Sequence, residues 1–272
     1  MNSLVEEHYR ISGLADKIAA ALRGAGKDLA CLTTKDLAPV DEFHIRGRQA
    51  TLELAQKMEL GPSSHVLDIG SGLGGPARTL AEVYGCRVTG IDLSPEFCAT
   101  AQELSRWVGF TDQVTFRHGD ATALTWDPDT FDAAMTIHAV MNIAAKDMVY
   151  AAVHRALKAG RIFAAYDILQ GEGGEVNYPV PWARDPAISH LSTPDEMRAL
   201  LQKAGFRILD EVDSTEQSEA WFKETAAQMA TPNRSPVGLR QLLREDAATM
   251  TRNQVRNLSE RRIRTVTFVC RS

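Results

Sequence analysis

Apolar residues recur along the chain in two different rhythms. Over residues 1–60 the rhythm is helical: Ile11, Leu14, Ile18, Ala21 and Leu22 stand three or four positions apart, as one buried helix face requires. A polar stretch through Lys27 and Lys35 follows. Thr51, Leu52, Leu54, Ala55 and Met58 then predict a second helix, stopped by Gly61-Pro62. From residue 65 onward, short apolar runs alternate with amphipathic segments. His65–Ile69, Cys86–Ile91, Val114–Phe116, Phe131–Ile137 and Arg161–Leu169 read as strands, with helices over Pro76–Tyr84, Pro95–Val108 and Ala144–Leu157. Beyond a loop rich in Gly and Pro (170–192), Thr193-Pro194 opens another helix and Phe206–Val212 reads as a strand. A mostly polar, helical stretch runs to about residue 260, and Arg264–Val269 is a last strand.

Strands that alternate with helices through short connections must pair in parallel, with helices on both faces. The expected class is α/β, a doubly wound sheet. Residues 1–60 would be an N-terminal helical cover. Residues 61–213 and 262–272 would form the α/β domain, and 214–261 a helical insertion before the last strand, placed as a substrate lid.

Composition changes this picture little. The chain has 272 residues, 44% apolar and 24% charged, as an ordinary globular protein has. Cys31, Cys86, Cys98 and Cys270 are scattered without a C-x-x-C pair, and they and the seven histidines show no metal-ligand spacing, so no metal is expected. The start, MNSLVEEHYR, is acidic where a secretory signal is basic, and no run approaches the ~20 apolar residues of a membrane span. The expectation is a cytoplasmic protein without a membrane span. A net charge of −5 weighs against unspecific nucleic-acid binding. The basic run Arg252, Arg256, Arg261, Arg262 and Arg264 is interleaved with Glu260 and reads as a solvated helix face. The sequence leaves the oligomeric state open.

The most informative segment is Val66-Leu67-Asp68-Ile69-Gly70-Ser71-Gly72-Leu73-Gly74-Gly75-Pro76, a strand that runs through glycines into a helix. Glycines allow tight turning and close approach of a ligand to the backbone. Gly70, Gly72 and Gly75 satisfy G-x-G-x-x-G, with an acid about 20 residues on, so a nicotinamide or flavin enzyme competes at this point. Asp68 separates the readings. A carboxylate at the end of the first strand repels a pyrophosphate but complements an ammonium or a sulfonium. Asp92, ending the second strand before Leu93, can accept both hydroxyls of a ribose. Asp120, in Gly119-Asp120-Ala121 after the third strand, could accept from an adenine amino group.

On these residues the sequence resembles the class I S-adenosylmethionine-dependent methyltransferases, over roughly residues 43–212. Asp68-Ile69-Gly70-Ser71-Gly72-Leu73-Gly74 is similar to the family's first motif, Asp92 to its ribose acid and Gly119-Asp120-Ala121 to its adenine-side motif. Leu157-Lys158-Ala159-Gly160-Arg161-Ile162 resembles its turn before strand five, with Ala159 for proline and Arg161 for the second glycine. Gly72-Leu73-Gly74-Gly75-Pro76-Ala77-Arg78 is most similar to the small-metabolite branch, which includes sarcosine/dimethylglycine and phosphoethanolamine N-methyltransferases. The resemblance implies a seven-stranded, mostly parallel Rossmann-like sheet with an antiparallel last strand. It also implies S-adenosyl-L-methionine as cofactor, held by Asp68, Gly70, Ser71, Gly72, Gly74, Asp92, Leu93, Gly119, Asp120, Ala121 and His138.

Methyl transfer needs alignment and the exclusion of water more than it needs a strong catalytic group. In Ile137-His138-Ala139-Val140-Met141-Asn142, His138 could serve as a base and Asn142 as a hydrogen-bond partner, or the histidine could simply pack. Tyr178-Pro179-Val180-Pro181-Trp182 is a rigid aromatic loop whose faces suit a cationic amine, a flat apolar ring, or the core. His190 is a second base candidate. The leading expectation is methylation of a small-molecule amine nitrogen. Methylation of an oxygen or carbon of a quinone, phenol or other natural product is the alternative within the class. A nicotinamide-dependent oxidoreductase and a regulatory protein that kept only the fold stand outside it.

Overall fold

The structure, a computed structural model, describes residues 2–123, 125–229, 235–243 and 246–272. Four helices come first: α1 (Asn2–Tyr9), α2 (Leu14–Gly24), α3 (Thr34–Asp41) and α4 (Gly47–Ala55). The alternating part follows as β1 (His65–Ile69), α5 (Gly75–Tyr84), β2 (Arg87–Asp92), α6 (Pro95–Trp107), β3 (Val114–His118), β4 (Phe131–Ile137), α7 (Lys146–Ala156), β5 (Leu157–Gln170), α8 (Pro194–Lys203) and β6 (Arg207–Asp213). Three helices, α9 (Thr215–Met229), α10 (Arg240–Leu243) and α11 (Ala247–Ser259), precede the last strand, β7 (Ile263–Arg271).

The seven strands form one sheet in the order β3-β2-β1-β4-β5-β7-β6. β1 to β5 pair in parallel, and β7 runs antiparallel between β5 and β6. This is the expected doubly wound, Rossmann-like arrangement. Helix starts are set by local chemistry. Ser94 caps α6 by accepting from the Phe97 N–H at 3.1 Å, with Pro95 next in line. Thr193 and Glu196 form a reciprocal capping box on α8.

One boundary differs from the sequence reading. Leu157 to Gly160 was expected to end a helix and turn, but β5 already starts at Leu157, which pairs with Phe131. The register then slips between Phe131 and Ala133, and Gly160, at φ 73°, takes up the irregularity in a conformation that glycine adopts without strain.

Two apolar layers hold the sheet. One packs α4, α5 and α6 on one face through Leu54, Leu80 and Ala101, and the other packs α7 and α8 on the opposite face through Val149, Val153, Met197 and Leu201. A third cluster joins Leu14, Ile18 and Leu37 of the N-terminal helices to Phe97 of α6 and to Leu242, Leu243 and Met250 of α10 and α11. The first and last helical segments thus meet over the same end of the sheet. No helix among the described residues is long and apolar enough to cross a membrane.

Candidate functional site

The sheet reverses its winding between β1 and β4, which opens a crevice at their carboxyl ends. After β1 the chain curls over the end of β2, where the N–H groups of Gly70 and Ser71 both donate to the Ile91 carbonyl, at 2.8 and 3.0 Å. Asp92 fixes this loop: one carboxylate oxygen accepts from the Gly72 N–H at 2.8 Å, the other from the Ser94 N–H at 2.9 Å. Each oxygen keeps a lone pair for a ligand. Burial pushes the Asp92 carboxyl up, while its bonds from Ser94 and Gly72 work in the opposite direction.

A cleft of about 400 Å³ occupies the crevice. Ten of the residues singled out from sequence line it: Gly70, Ser71, Gly72, Asp92, Leu93, Gly119, Asp120, Ala121, His138 and Asn142. Gly74 and Asp68 do not. Gly74 starts α5 against the ring of Phe116, and a Cβ there would lie 2.3 Å from Phe116 Cζ. Packing, rather than a ligand, requires that glycine.

Asp68 is buried at the end of β1, 2% exposed, and its Oδ2 has no hydrogen-bond partner among the described residues. Burial, followed by the charges of Asp92 and Glu42, pushes its carboxyl up to about 8. Glu6, Asp41, Asp92 and Asp120 line the cleft, and among its described lining residues there is no lysine or arginine. This donor set fits a cation and opposes a pyrophosphate.

A smaller cavity shares Tyr9, Phe43, His44, Phe97 and His138 with the cleft and continues into apolar walls of Met141, Ile168, Trp182, Leu242 and Met250. His138 sits at the junction in the left-handed region, φ 48°, a conformation that costs a non-glycine residue free energy and clusters at working sites. Its own N–H is held by the Tyr166 carbonyl at 2.9 Å, and its ring leans on the Tyr166 ring at 4.7 Å. Burial, reinforced by His44, pushes its pKa well below 6.5, so the ring is neutral at pH 7.

The other expected residues are dispersed. Asn142 lines the cleft, but its amide donates to the carbonyls of Trp182 (2.8 Å) and Ile188 (2.7 Å), and its oxygen accepts from the Tyr9 hydroxyl (3.1 Å). It acts as a staple between three segments. Trp182 does both things open to it: it is buried in an apolar cluster, with its indole N–H 3.0 Å from Ser189 Oγ, and it forms part of the smaller cavity's wall. Tyr178 and His190 lie instead along an open surface depression with Lys146 and Lys203, not in the cleft.

Several contributors escaped the sequence reading. Tyr9, Phe43 and His44 come from the N-terminal segment and line both spaces. Arg78, 0% exposed, clamps that segment down: its guanidinium donates to Asp41 at 2.7 Å, to the carbonyls of Leu73 and Ala101, and to Ser105. Only two signals were available for these residues: an arginine on the apolar side of α5, and the acid-aromatic run Asp41-Glu42-Phe43-His44 between two helices.

Residues 66–160 match the family model described as a methyltransferase domain. A sterol 24-C-methyltransferase of Eremothecium gossypii is 30% identical over 62% of this chain and 48% of its own length, so the chain spans about half the length of this curated relative. Phosphoethanolamine N-methyltransferase 2 of Haemonchus contortus, solved with S-adenosyl-L-methionine, superposes with a TM-score of 0.70 at 20% identity, covering 83% of this chain and 53% of that one. The [4+2]-cyclase SpnF superposes at 0.66 with 21% identity, over 94% and 93% of the two chains. Residues 66–160 thus match a methyltransferase-domain model, and the sheet that carries them has the Rossmann-like fold of these solved structures.

Proposed function

We propose that this protein transfers a methyl group from S-adenosylmethionine to a small, largely apolar acceptor. The observation that carries the reading is the pairing of two contiguous spaces of opposite character: an acid-lined cleft at the carboxyl end of β1, the strand in which Asp68 Oδ2 is buried without a partner among the described residues, and an aromatic cavity with His138 at the junction. Bound S-adenosylmethionine would supply a methyl group already activated on sulfur. Asp92 would hold the ribose hydroxyls, Asp120 would face the adenine, and Asp68 would complement the cationic end. The chain's remaining task is to align an acceptor and exclude water, which α1 and the aromatic wall accomplish by closing over the cleft.

Within that reading the cavity favours a neutral acceptor over a cationic amine. No carboxylate lines the smaller cavity among the described residues, Arg184 does line it, and the two histidines at its mouth are neutral at pH 7. Relatives named for sterol and for phosphoethanolamine methylation bracket both possibilities. Because a cyclase is built on the same fold, the fold alone does not decide the chemistry.

The test is turnover with methyl-labelled S-adenosylmethionine and three acceptor panels: phenols and hydroxyquinones, cationic amines, and apolar alkenes. Label should pass to the first or third panel, with equimolar S-adenosylhomocysteine released. Transfer to amines alone would reverse the acceptor assignment, and binding of the cofactor with no transfer to any panel would favour a non-methylating role.

A further inference from the structure

His44 has a tautomer that the structure fixes. Its Nε2 lies 2.9 Å from the Gly47 carbonyl, an atom that can only accept, so Nε2 carries the hydrogen. The same N–H faces Thr51 Oγ1 at 3.2 Å, and Thr51 in turn donates its own hydrogen to Glu42 at 2.6 Å. The ring is therefore locked, 8% exposed, with its lone pair on Nδ1, on a residue that lines both the cleft and the smaller cavity.

His138 is fixed in the complementary role. The Ile45 N–H points at its Nδ1, 3.5 Å away, so Nδ1 is the acceptor and the ring hydrogen sits on Nε2. That Nε2 is buried and has no partner among the described residues. A buried donor left unpaired is costly and calls for a ligand or a water. The two rings stand 6.0 Å apart, centroid to centroid. That separation is compatible with a single oxygen bonded to one nitrogen of each ring at about 2.7–3.0 Å.

We propose that His44 and His138 form a hydroxyl-recognition pair: the acceptor's O–H donates to His44 Nδ1 while its oxygen accepts from His138 Nε2–H. Burial pushes His44 down to about 4, and His138 also lies well below its usual range, so both rings stay neutral at pH 7 and recognise a neutral group. The charged group bonded nearest this pair is Glu42, just after α3, and its own neighbour is Arg48 of α4. Glu42 reaches His44 only through Thr51, and Arg48 lies 3.6 Å from Glu42. An ammonium would find an acceptor at His44 but would confront the N–H of His138. An ether oxygen would satisfy His138 and leave His44 unmet. A hydroxyl meets both. This inference rests on the methyltransferase reading for the pair's role and on the ring geometry for its selectivity.

Titration calorimetry with phenol, anisole and toluene separates these cases, because the three share a ring and differ only in donor and acceptor capacity. Phenol should bind about tenfold tighter than toluene, with anisole between them. His44→Phe should bring phenol down to the anisole level, and His138→Phe should remove anisole's advantage over toluene, with toluene affinity itself nearly unchanged in both variants. Nitrogen-15 spectra of labelled histidine should show both rings as the Nε2–H tautomer. Equal affinity for phenol and toluene, no phenol binding at millimolar concentration, tighter binding of benzylammonium than phenol, or a preference for phenol that survives His44→Phe would each overturn the pair. S-adenosylhomocysteine titrated into the same samples reports the methyltransferase reading separately. Should it fail to bind while phenol keeps its advantage, the hydroxyl site stands and that reading falls.

Discussion

The cleft and the smaller cavity share five residues yet are built in opposite ways. Beneath its N-terminal cover, the cleft is made from consecutive stretches at strand ends, 70–72, 92–94 and 119–122, whose backbone N–H groups are held by the Ile91 carbonyl and by the carboxylates of Asp92 and Asp120. The cavity is assembled from α1, the turn before α4, the segment after β4, the loop around Trp182 and the helices before β7, pieces separated by up to 246 positions, from His8 to Gln254. The cleft is acidic, whereas the cavity is largely aromatic and apolar, with Arg184 and no carboxylate among its described lining residues. A site that must bind a constant ligand can be written as local motifs on a rigid sheet. One that must fit a particular acceptor is gathered from the variable covers.

Substitutions separate the two regions. Gly74→Ala forces a Cβ against Phe116 at φ 77° and should cost about 2–4 kcal/mol of stability. At Gly72 the added Cβ meets only Phe43, at 3.4 Å, so Gly72→Ala should cost less stability but lose S-adenosylhomocysteine affinity, because it crowds the cleft floor. Thermal melts and calorimetry of the two variants check the contrast. Equal behaviour would mean that the loop acts as one structural unit.

If Asp92 holds the ribose as proposed, Asp92→Ala removes a pair of charge-assisted bonds and should weaken S-adenosylhomocysteine by about a hundredfold. It also frees the N–H groups of Gly72 and Ser94, so a lower melting temperature should accompany the loss. Trp182→Leu, on the cavity side, leaves a void and removes the indole's hydrogen bond to Ser189, and should cost about 2–3 kcal/mol of stability, with cofactor affinity within about twofold of wild type. A large fall in cofactor affinity in that variant would show the two regions to be one.

Asp68 gives the smallest and most specific effect. Its carboxyl is held protonated up to about 8, whereas in the unfolded chain it titrates near 3.8. Between those values the folded state binds the extra proton, so this group's contribution to stability declines as pH rises through the interval. A cation bound nearby lowers the pKa and expels that proton. S-adenosylmethionine affinity should therefore climb from pH 6 to about 8, by at most about tenfold per pH unit, and binding should release protons measurable by repeating the titration in buffers of different ionisation enthalpy. Asp68→Asn should abolish the slope and leave the protein at least as stable at pH 8.

The succession of strands and helices and the glycine loop were legible because both depend on local signals: short apolar runs between amphipathic segments, and an acid-glycine sequence between a strand and a helix. Asp92, Leu93, Gly119 and Asp120 could be located in the same way, since a strand end fixes where its next residue points. Asp68 was read by charge alone, and its burial and lost partner needed the fold. Gly74 looked like a ligand glycine because spacing does not record that Phe116 from β3 crosses over it. His44 carried no periodic signal, and its value comes from Gly47, Thr51 and a second histidine 94 positions away. Asn142 was found, but as a staple, since its three partners come from α1 and the loop beyond β5. The split follows chemistry: what one segment determines can be read from it, and what packing of distant covers determines cannot.

A cleft built for a cationic, phosphate-free nucleoside should select among three ligands in a single titration series. Calorimetry of the wild-type protein at pH 7.5 with S-adenosylmethionine, S-adenosylhomocysteine and NAD should give saturable binding of both sulfur ligands, with proton release for S-adenosylmethionine, and no heat with NAD. Binding of NAD with silence from both sulfur ligands would contradict the account.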